Sequence, residues 1–249
     1  MSFKDLFGTQ ATDYAQYRPR YPKALFDYLA SLTKEHELAW DCGTGNGQAA
    51  VELAQFYKSV LATDPSEKQL ANAEKNSRIT YQQAPAEKSP LEDHHADLVT
   101  VAQAFHWFQH EQFFHEVKRV LKPGGAVAVW GYNLCKISPE IDVLVHELYE
   151  GILGPYWEPQ RKLVEEEYRN CLFPVQEIKP PHFEMNAQWS VEHLIGYLGT
   201  WSSLQTFIKK NGANPLEAMA PKIIKTWGVN QPRLIQWDLA LRVGLTSKS

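Results

Sequence analysis

Three glycines within five residues, Gly43, Gly45 and Gly47, separate the apolar run Leu38-Ala39-Trp40 from the helix-forming run Gln48-Ala49-Ala50-Val51-Glu52-Leu53. Glycine has no Cβ and enters backbone conformations closed to other residues. A strand, this turn and a helix therefore let bare main chain approach a nucleotide-like ligand closely. The third glycine comes too early for the dinucleotide pattern G-x-G-x-x-G. Asp41, just ahead of the glycines, would repel a pyrophosphate and attract a cation.

The next element narrows the ligand. Val60-Leu61-Ala62 runs into Thr63-Asp64-Pro65-Ser66, and Asp64 falls about 20 residues beyond the first glycine, where a carboxylate at a strand end accepts both hydroxyls of a ribose. The same residue could serve, instead or as well, as N-cap of a helix opening at Pro65. NAD and S-adenosylmethionine fit such a ribose site equally. Further on, Asp97-Leu98-Val99-Thr100-Val101-Ala102 reads as a strand running into Gln103-Ala104-Phe105-His106-Trp107-Phe108. The helical stretch Phe113 to Leu121 then ends in Lys122-Pro123-Gly124-Gly125, ahead of the strand Ala126-Val127-Ala128-Val129-Trp130.

With these pieces in order, the chain resembles the class I S-adenosylmethionine-dependent methyltransferases, and within them the small-molecule type 11 group. The matching residues are Asp41-Cys42-Gly43-Thr44-Gly45, Asp64, Ala86-Glu87, Asp97-Leu98-Val99 and Leu121-Lys122-Pro123-Gly124-Gly125, all between residues 38 and 131. Two further stretches, Tyr14-Ala15-Gln16-Tyr17-Arg18-Pro19-Arg20-Tyr21-Pro22 and Gly196-Tyr197-Leu198-Gly199-Thr200-Trp201-Ser202, together with Phe105-His106-Trp107-Phe108, are similar to the trans-aconitate methyltransferase branch. The resemblance implies a Rossmann-like α/β fold: a seven-stranded, mostly parallel sheet with helices on both faces, an antiparallel last strand and a helical cap after strand five.

The periodicity of the chain agrees with that architecture. Alternation of strands 38 to 42, 59 to 63, 78 to 82, 97 to 102 and 126 to 131 with helices 47 to 57, 66 to 76 and 110 to 121 implies right-handed crossovers and a parallel sheet. Pro22 opens a helix through about Thr33, after an aromatic segment without clear periodicity. After Trp130 come two helical patterns within 139 to 171, broken at Gly154-Pro155. An extended stretch 175 to 185, helices near 190 to 210 and 215 to 227, and a β-rich run Leu234 to Val243 follow, the last assigned to the antiparallel strand. The expected organisation is one domain: an arm or lid over 1–21, a cofactor-binding core over 22–131, a substrate cap over 132–230 and a closing strand over 231–249.

Bulk properties limit the partners. A formal net charge of −4 and no Lys/Arg run longer than Lys209-Lys210 provide no footprint for nucleic acid. Cys42, Cys135 and Cys171 suit free thiols in a reducing compartment, and no apolar run has the length of a membrane span. The expectation is a cytoplasmic enzyme, monomeric or homodimeric, acting on a small molecule without metal, since the histidines at 94, 95, 106, 110 and 115 complete no ligand pattern.

Methyl transfer from a sulfonium is an in-line displacement, so the protein aligns donor and nucleophile and excludes water. Gly43, Gly45 and Gly47 allow approach to the donor's amino-acid part, Asp41 meets its ammonium, Asp64 and Pro65 its ribose, Ala86 or Glu87 its adenine, and the Gln103 carbonyl again its ammonium. His106 and Trp107 line the reaction chamber, where an imidazole is a candidate base and an indole can face a cation. Arg18 is expected to hold an anionic group bidentately, with Tyr14 and Trp201 completing the acceptor pocket. Each has a plainer role available: core packing for Trp107, a structural ion pair for Arg18. The favoured reaction is carboxyl O-methylation of an acidic metabolite. The alternatives are C- or O-methylation of an aromatic or apolar molecule, a degenerate cofactor-binding scaffold, and an NAD-dependent oxidoreductase, against which Asp41 and Lys122-Pro123-Gly124-Gly125 speak.

Overall fold

The computed structural model describes residues 17–229 and 231–247. A helix, Lys23–Ser31 (α1), precedes the alternating part. Leu38–Cys42 (β1), Ser59–Asp64 (β2), Ile79–Gln83 (β3), Ala96–Ala102 (β4) and Leu121–Tyr132 (β5) pair in parallel, with Gln48–Leu53 (α2), Glu67–Ala71 (α3) and His110–Val120 (α4) between them. The strands β1, β2 and β4 are buried almost end to end because helices cover both faces of the sheet, which is why they read as continuous apolar runs. One face packs on Phe113, Phe114 and Val117 of α4, the other on Leu25, Phe26 and Leu29 of α1 and Ala49, Ala50 and Leu53 of α2.

Beyond β5 lie Pro139–His146 (α5), which runs into a π-helical turn Glu147–Ile152, and then Arg161–Glu165 (α6), Gln176–Ile178 (β6) and Glu184–Trp189 (β7). Val191–Gly199 (α7), Ser202–Asn211 (α8), Pro215–Trp227 (α9) and Arg233–Leu245 (β8) complete the described chain. The strand order is β3-β2-β1-β4-β5-β8-β6, with β8 antiparallel to β5 and β7 paired to β8 off that path. The fold is thus the expected Rossmann-like one, with one strand more than seven. The extended stretch is split by Pro180-Pro181, which cannot donate to a ladder, so β6 pairs with Val243–Leu245 and β7 with Arg233–Asp238. The helices after β5 gather on a third core, from Ile141, Leu148 and Tyr149 to Trp201, Trp227 and Trp237.

Several boundaries differ from the periodicity, among them the end of α2, which stops at Leu53 and not at 57. Pro22 is the N-cap of α1 and not its first residue, and α3 opens at Glu67 with Ser66 as its cap, the Ser66 hydroxyl accepting from Gln69 N. Asp64 is therefore not the cap of that helix. Helix α3 stops at Asn72, whose side-chain amide donates to the Lys68 carbonyl, because Asn competes with the helix for backbone partners.

The order β2-β1-β4 puts a topological switch point at β1, where the chain crosses away on both sides and a crevice opens at the strands' carboxyl ends. The amino ends are tied down by Asp97. Its Oδ2 accepts from Glu37 N at 2.8 Å and Leu38 N at 2.9 Å, and its Oδ1 pairs with Lys122 Nζ at 2.7 Å. The residues Asp97 and Lys122 of the resemblance thus support the floor of the sheet. We expect Asp97→Ala to lower unfolding free energy by about 3 kcal/mol, since backbone donors and a half-buried ammonium lose their acceptor. Urea denaturation with ligand-binding assays would show lost stability and unchanged affinity.

Candidate active site

The turn after β1 is built on three left-handed glycines, Gly43, Gly45 and Gly47, with φ of 68°, 57° and 86°. It is fastened to β2 by Thr44 N donating to Thr63 O and by Gly45 N donating to Asp64 Oδ2, both at 2.9 Å. The other Asp64 oxygen accepts from Ser66 N at 2.8 Å. Asp41 lies fully buried beneath the turn. Register sets it beside Thr100 of β4, whose hydroxyl donates to Oδ1 at 2.8 Å while Thr44 Oγ1 donates to Oδ2 at 2.5 Å. Burial outweighs these hydroxyls and pushes the carboxyl up to about 6.

On the far side the turn meets the segment after β4. A Cβ at Gly43 would come within 2.6 Å of the Ala104 Cβ. Gln103 itself has φ 54°, unusual for a residue with a side chain, and its amide donates to Tyr132 O at 3.0 Å. The 3-10 turn Phe105–Trp107 follows, burying Phe105 and His106 and leaving Trp107 38% exposed. His106 Nδ1 lies 3.2 Å from the Tyr168 hydroxyl. Burial, with the nearby positive charge of Arg161 and then His110, lowers its pKa to about 3, so the imidazole is neutral at physiological pH.

A cleft of about 630 Å³, its open mouth included, is lined by Arg18, Gln103, His106, Trp107, Arg161 and Trp201, among others. The structure thus brings four of the five expected acceptor-side residues together; the fifth, Tyr14, lies outside the described residues. Arg18 reaches the Tyr132 hydroxyl and the Thr200 carbonyl, both at 3.4 Å, and lies over the Tyr197 ring. Trp201 is buried edge-on to Tyr149 and Tyr197. Arg161 is a cleft residue that sequence pattern did not single out. On the cofactor side, Ala86 is buried, and Glu87 accepts from Gln109 N at 2.9 Å, so part of its carboxylate secures the start of α4. Among the described residues, no group of three or more His, Cys, Asp or Glu could hold a metal ion, and no helix is long and apolar enough to cross a membrane.

Two sequence stretches far apart also meet here. A Cβ at Gly196 of α7 would sit 2.5 Å from the Tyr17 ring, so this glycine is the socket in which Tyr17 packs. Tyr21 continues the contact, edge-on to Trp130.

A glycine turn at the switch point, a carboxylate after β2 fastened to it and an antiparallel closing strand make a Rossmann-like fold of the kind seen in methyltransferases. A methyltransferase domain model matches residues 40–129. The chain is 36% identical over 229 residues to a Dictyostelium discoideum protein assigned to the methyltransferases, covering 90% of this chain and 87% of that one. A solved type II methyltransferase structure from Anaeromyxobacter dehalogenans superposes with a TM-score of 0.86 at 39% identity, covering 94% of this chain and all of that one. A Saccharomyces cerevisiae protein assigned as an S-adenosylmethionine-dependent methyltransferase is 31% identical over 140 residues, 53% of this chain and 47% of that protein. The chain belongs to the class I S-adenosylmethionine-dependent methyltransferases, in the type 11 family. It is an enzyme, and its methyl donor is S-adenosylmethionine.

The residues present fit that donor. A Cβ at Gly45 would meet nothing nearer than Gln69 Oε1 at 3.9 Å, and that oxygen is buried without a hydrogen-bond partner among the described residues. An open glycine face beside an unanswered acceptor suits a group that brings hydroxyl donors. Gln69 is a second residue that sequence pattern did not single out; its place on the inner face of a short helix just after Asp64 was the available signal.

Asp41 sets a pH dependence with a definite sign. A carboxyl raised in the folded state contributes stability below the ordinary carboxylate range and loses it as pH rises through about 6. At pH 8 the ionised group is a net cost. Asp41→Asn should therefore stabilise the ligand-free protein at pH 8, by up to about 3 kcal/mol, with the gain shrinking below pH 6. If Asp41 meets the donor's ammonium, the same change weakens S-adenosylhomocysteine binding. Denaturation at pH 8 and pH 5 with calorimetric titration would decide, and unchanged affinity would remove Asp41 from the donor site.

Proposed function

We propose that the enzyme methylates a carboxylate oxygen of a small acidic molecule. The supporting observation is the cleft itself: two guanidinium groups, Arg18 and Arg161, and one carboxylate, Glu158, line an aromatic-walled space bordered by Gln103, whose neighbour Ala104 packs on Gly43 of the glycine turn. When bound, S-adenosylmethionine supplies an electrophilic methyl group on a sulfonium. The turn at Gly43, Gly45 and Gly47 lets it approach the main chain; Asp41 and the Gln103 carbonyl meet its ammonium; Asp64 and Pro65, with Gln69, meet its ribose; Ala86 and Glu87 face its adenine. Trp107, the exposed aromatic of the chamber, borders the acceptor, with Trp201 as a wall and Tyr14 on the arm that closes it. Arg18 attracts the anionic acceptor.

A carboxylate is already ionised and needs no base. This suits a chamber whose imidazole has a pKa near 3 and is a weak proton acceptor. A phenol or carbon acceptor would require a base that His106 supplies poorly, although the indoles of Trp107, Trp157 and Trp201 offer stacking surface for a ring. We further assign the chain to the trans-aconitate methyltransferase branch. The contact of Tyr17 with Gly196 supports this, since it joins two of the stretches in which that resemblance resides. The same contact supports reading residues 1–21 as an arm against the cap, and the pairing of β8 with β5 supports 231–249 as the closing strand of a chain whose donor-binding core we place at 22–131 and acceptor cap at 132–230.

The test is turnover with labelled donor against a panel of carboxylic acids and phenols. For a carboxylate acceptor the rate should be flat above about pH 6, and His106→Asn should keep that profile even if its rate drops. A basic limb lost in His106→Asn would favour a hydroxyl or carbon nucleophile. Asp64→Asn, which keeps an acceptor for one of the two backbone donors, should weaken S-adenosylhomocysteine binding by roughly 1.5 to 3 kcal/mol, whereas Asp64→Ala should also lower the melting temperature because Gly45 N and Ser66 N lose their acceptor. Affinity within twofold of wild type would end the ribose assignment.

A further inference from the structure

We propose that Tyr168 is a positioning residue that sets the tautomer of His106, so that the imidazole offers the acceptor a neutral Nε2–H donor and removes no proton. The tautomer rests on contacts within the protein; the role toward the acceptor rests on the carboxylate reading above.

Tyr168 lies just beyond α6, where Glu167 and Tyr168 are both left-handed, with φ of 56° and 57°. Residues with side chains rarely enter that region, and two in succession persist only where the surroundings impose them. Here Tyr168 N donates to Leu163 O at 2.8 Å, and the Tyr168 carbonyl accepts from Arg242 Nη1 at 2.7 Å. Arg242 is held in turn by Glu177 of β6, through Nε at 2.8 Å and Nη2 at 2.9 Å. The Tyr168 ring enters the core edge-on to Phe105, and its hydroxyl reaches Gly131 of β5, where a Cβ would come within 3.0 Å of it. The rings of Tyr168 and His106 lie 17° from parallel, and the hydroxyl stands 3.2 Å from His106 Nδ1.

One proton assignment satisfies this pair. Tyr168 is 1% exposed, and burial pushes its hydroxyl well above the ordinary range, so it keeps its proton. Among the described residues, His106 Nδ1 is the hydroxyl's one hydrogen-bond partner. Were the imidazole to donate instead, the phenolic proton would be buried without an acceptor. Tyr168 therefore donates and Nδ1 accepts. A neutral imidazole whose Nδ1 accepts carries its proton on Nε2, and the ring is neutral because burial, with the charges of Arg161 and His110, depresses it. Nε2 has no protein partner among the described residues, yet it is not sealed in the interior. The imidazole lines the cleft beside Arg18, Glu158 and Arg161, so the N–H opens onto the acceptor's space.

A neutral donor suits carboxyl O-methylation. One oxygen lone pair forms the bond to the methyl carbon as the carbon–sulfur bond breaks and its electron pair stays on sulfur. Carboxylate and sulfonium charges cancel, and no proton moves. The attacking oxygen must keep its lone pair free, whereas the other oxygen becomes the ester carbonyl and remains an acceptor throughout. An N–H on that second oxygen orients the group without the preference for the charged ground state that an imidazolium would add. With Nδ1 taken up by Tyr168, the cleft side of the ring has no lone pair to act as a base.

The experiment is nitrogen-15 NMR of the imidazoles in the ligand-free protein, combined with acceptor kinetics. The signal of His106, one of nine histidines, is assigned by its loss in His106→Gln. Wild type should show a protonated Nε2 and an unprotonated Nδ1. Tyr168→Phe, which keeps the ring in the core, should shift that signal toward a mixture of tautomers. It should also raise KM for short aliphatic carboxylic acids roughly 3- to 10-fold, with S-adenosylhomocysteine affinity by calorimetric titration unchanged. His106→Gln, whose amide places an N–H near the lost Nε2, should keep KM closer to wild type than His106→Leu does. A protonated Nδ1 in wild type, or a Tyr168→Phe spectrum or KM identical to wild type, would overturn the proposal and leave Tyr168 a core residue. Wild-type KM in His106→Leu would overturn the donor role. Turnover of phenols and no carboxylic acid would overturn the carboxylate reading and the donor role with it, and the spectrum, recorded without acceptor, tells that failure from a wrong tautomer.

Discussion

A carboxylate buried between two parallel strands is the costly interaction around which this enzyme is arranged. Asp41 lies where β1 parts from β2 and β4, clasped by hydroxyls from Thr44 and Thr100. Hydroxyls compensate a buried charge only in part. The elements around it follow from that position: the glycine turn above is open at Gly45, Asp64 secures the turn from the neighbouring strand, and Ala104 at Gly43 and Tyr81 at Gly47 pack against its other two glycines. The site is a polar interruption at the edge of an otherwise apolar sheet, held in place because the opposite edge is fastened by Asp97 and Lys122.

The cleft beyond β4 and β5 obeys a different rule. Its walls come from the end of β5, the turn after β4 and the helices of the cap, and are joined by ring-on-ring contacts of Trp201 with Tyr149, Tyr197 and Trp157. Aromatic walls provide area and rigidity but little direction; direction comes from the guanidinium groups set into them. The turn region is thus made of main chain and short side chains at strand ends, and the cleft of long side chains from turns, helix starts and the end of β5.

That division also decides what could be read from the residues alone. The turn glycines, Asp41 and Asp64 stand at intervals dictated by one strand-turn-helix unit and the next, so local spacing carries them. The extra strand was hidden because β6 is only three residues, too short to show an alternation, and runs through Pro180-Pro181 toward β7, whose own alternation then reads as part of one extended stretch. Arg161 was hidden for another reason. Its meaning depends on Tyr149 and Trp157, brought round by an irregular turn, and on Asn133 beyond the sheet, none of which a periodicity links to it. Helix α3 was overestimated because Ser66 competes as a cap and Asn72 ends it early.

The strand β8 is the last element of the described chain, yet it sits in the interior of the sheet, with β5 on one side and β6 and β7 on the other. Until it arrives, β5 presents an open edge, and the cap lacks Ile235 and Trp237, which fill its core. Everything from the third core to the cleft roof therefore waits on a contact of long sequence separation, whose loop-closure entropy must be met before any reward. During synthesis the five parallel strands can assemble first, carrying an unpaired apolar strand at their margin, the kind of surface that chaperones cover and neighbouring nascent chains can pair with. An order of events is thus built into the topology: the glycine turn and Asp41 are in place before the cleft has its walls.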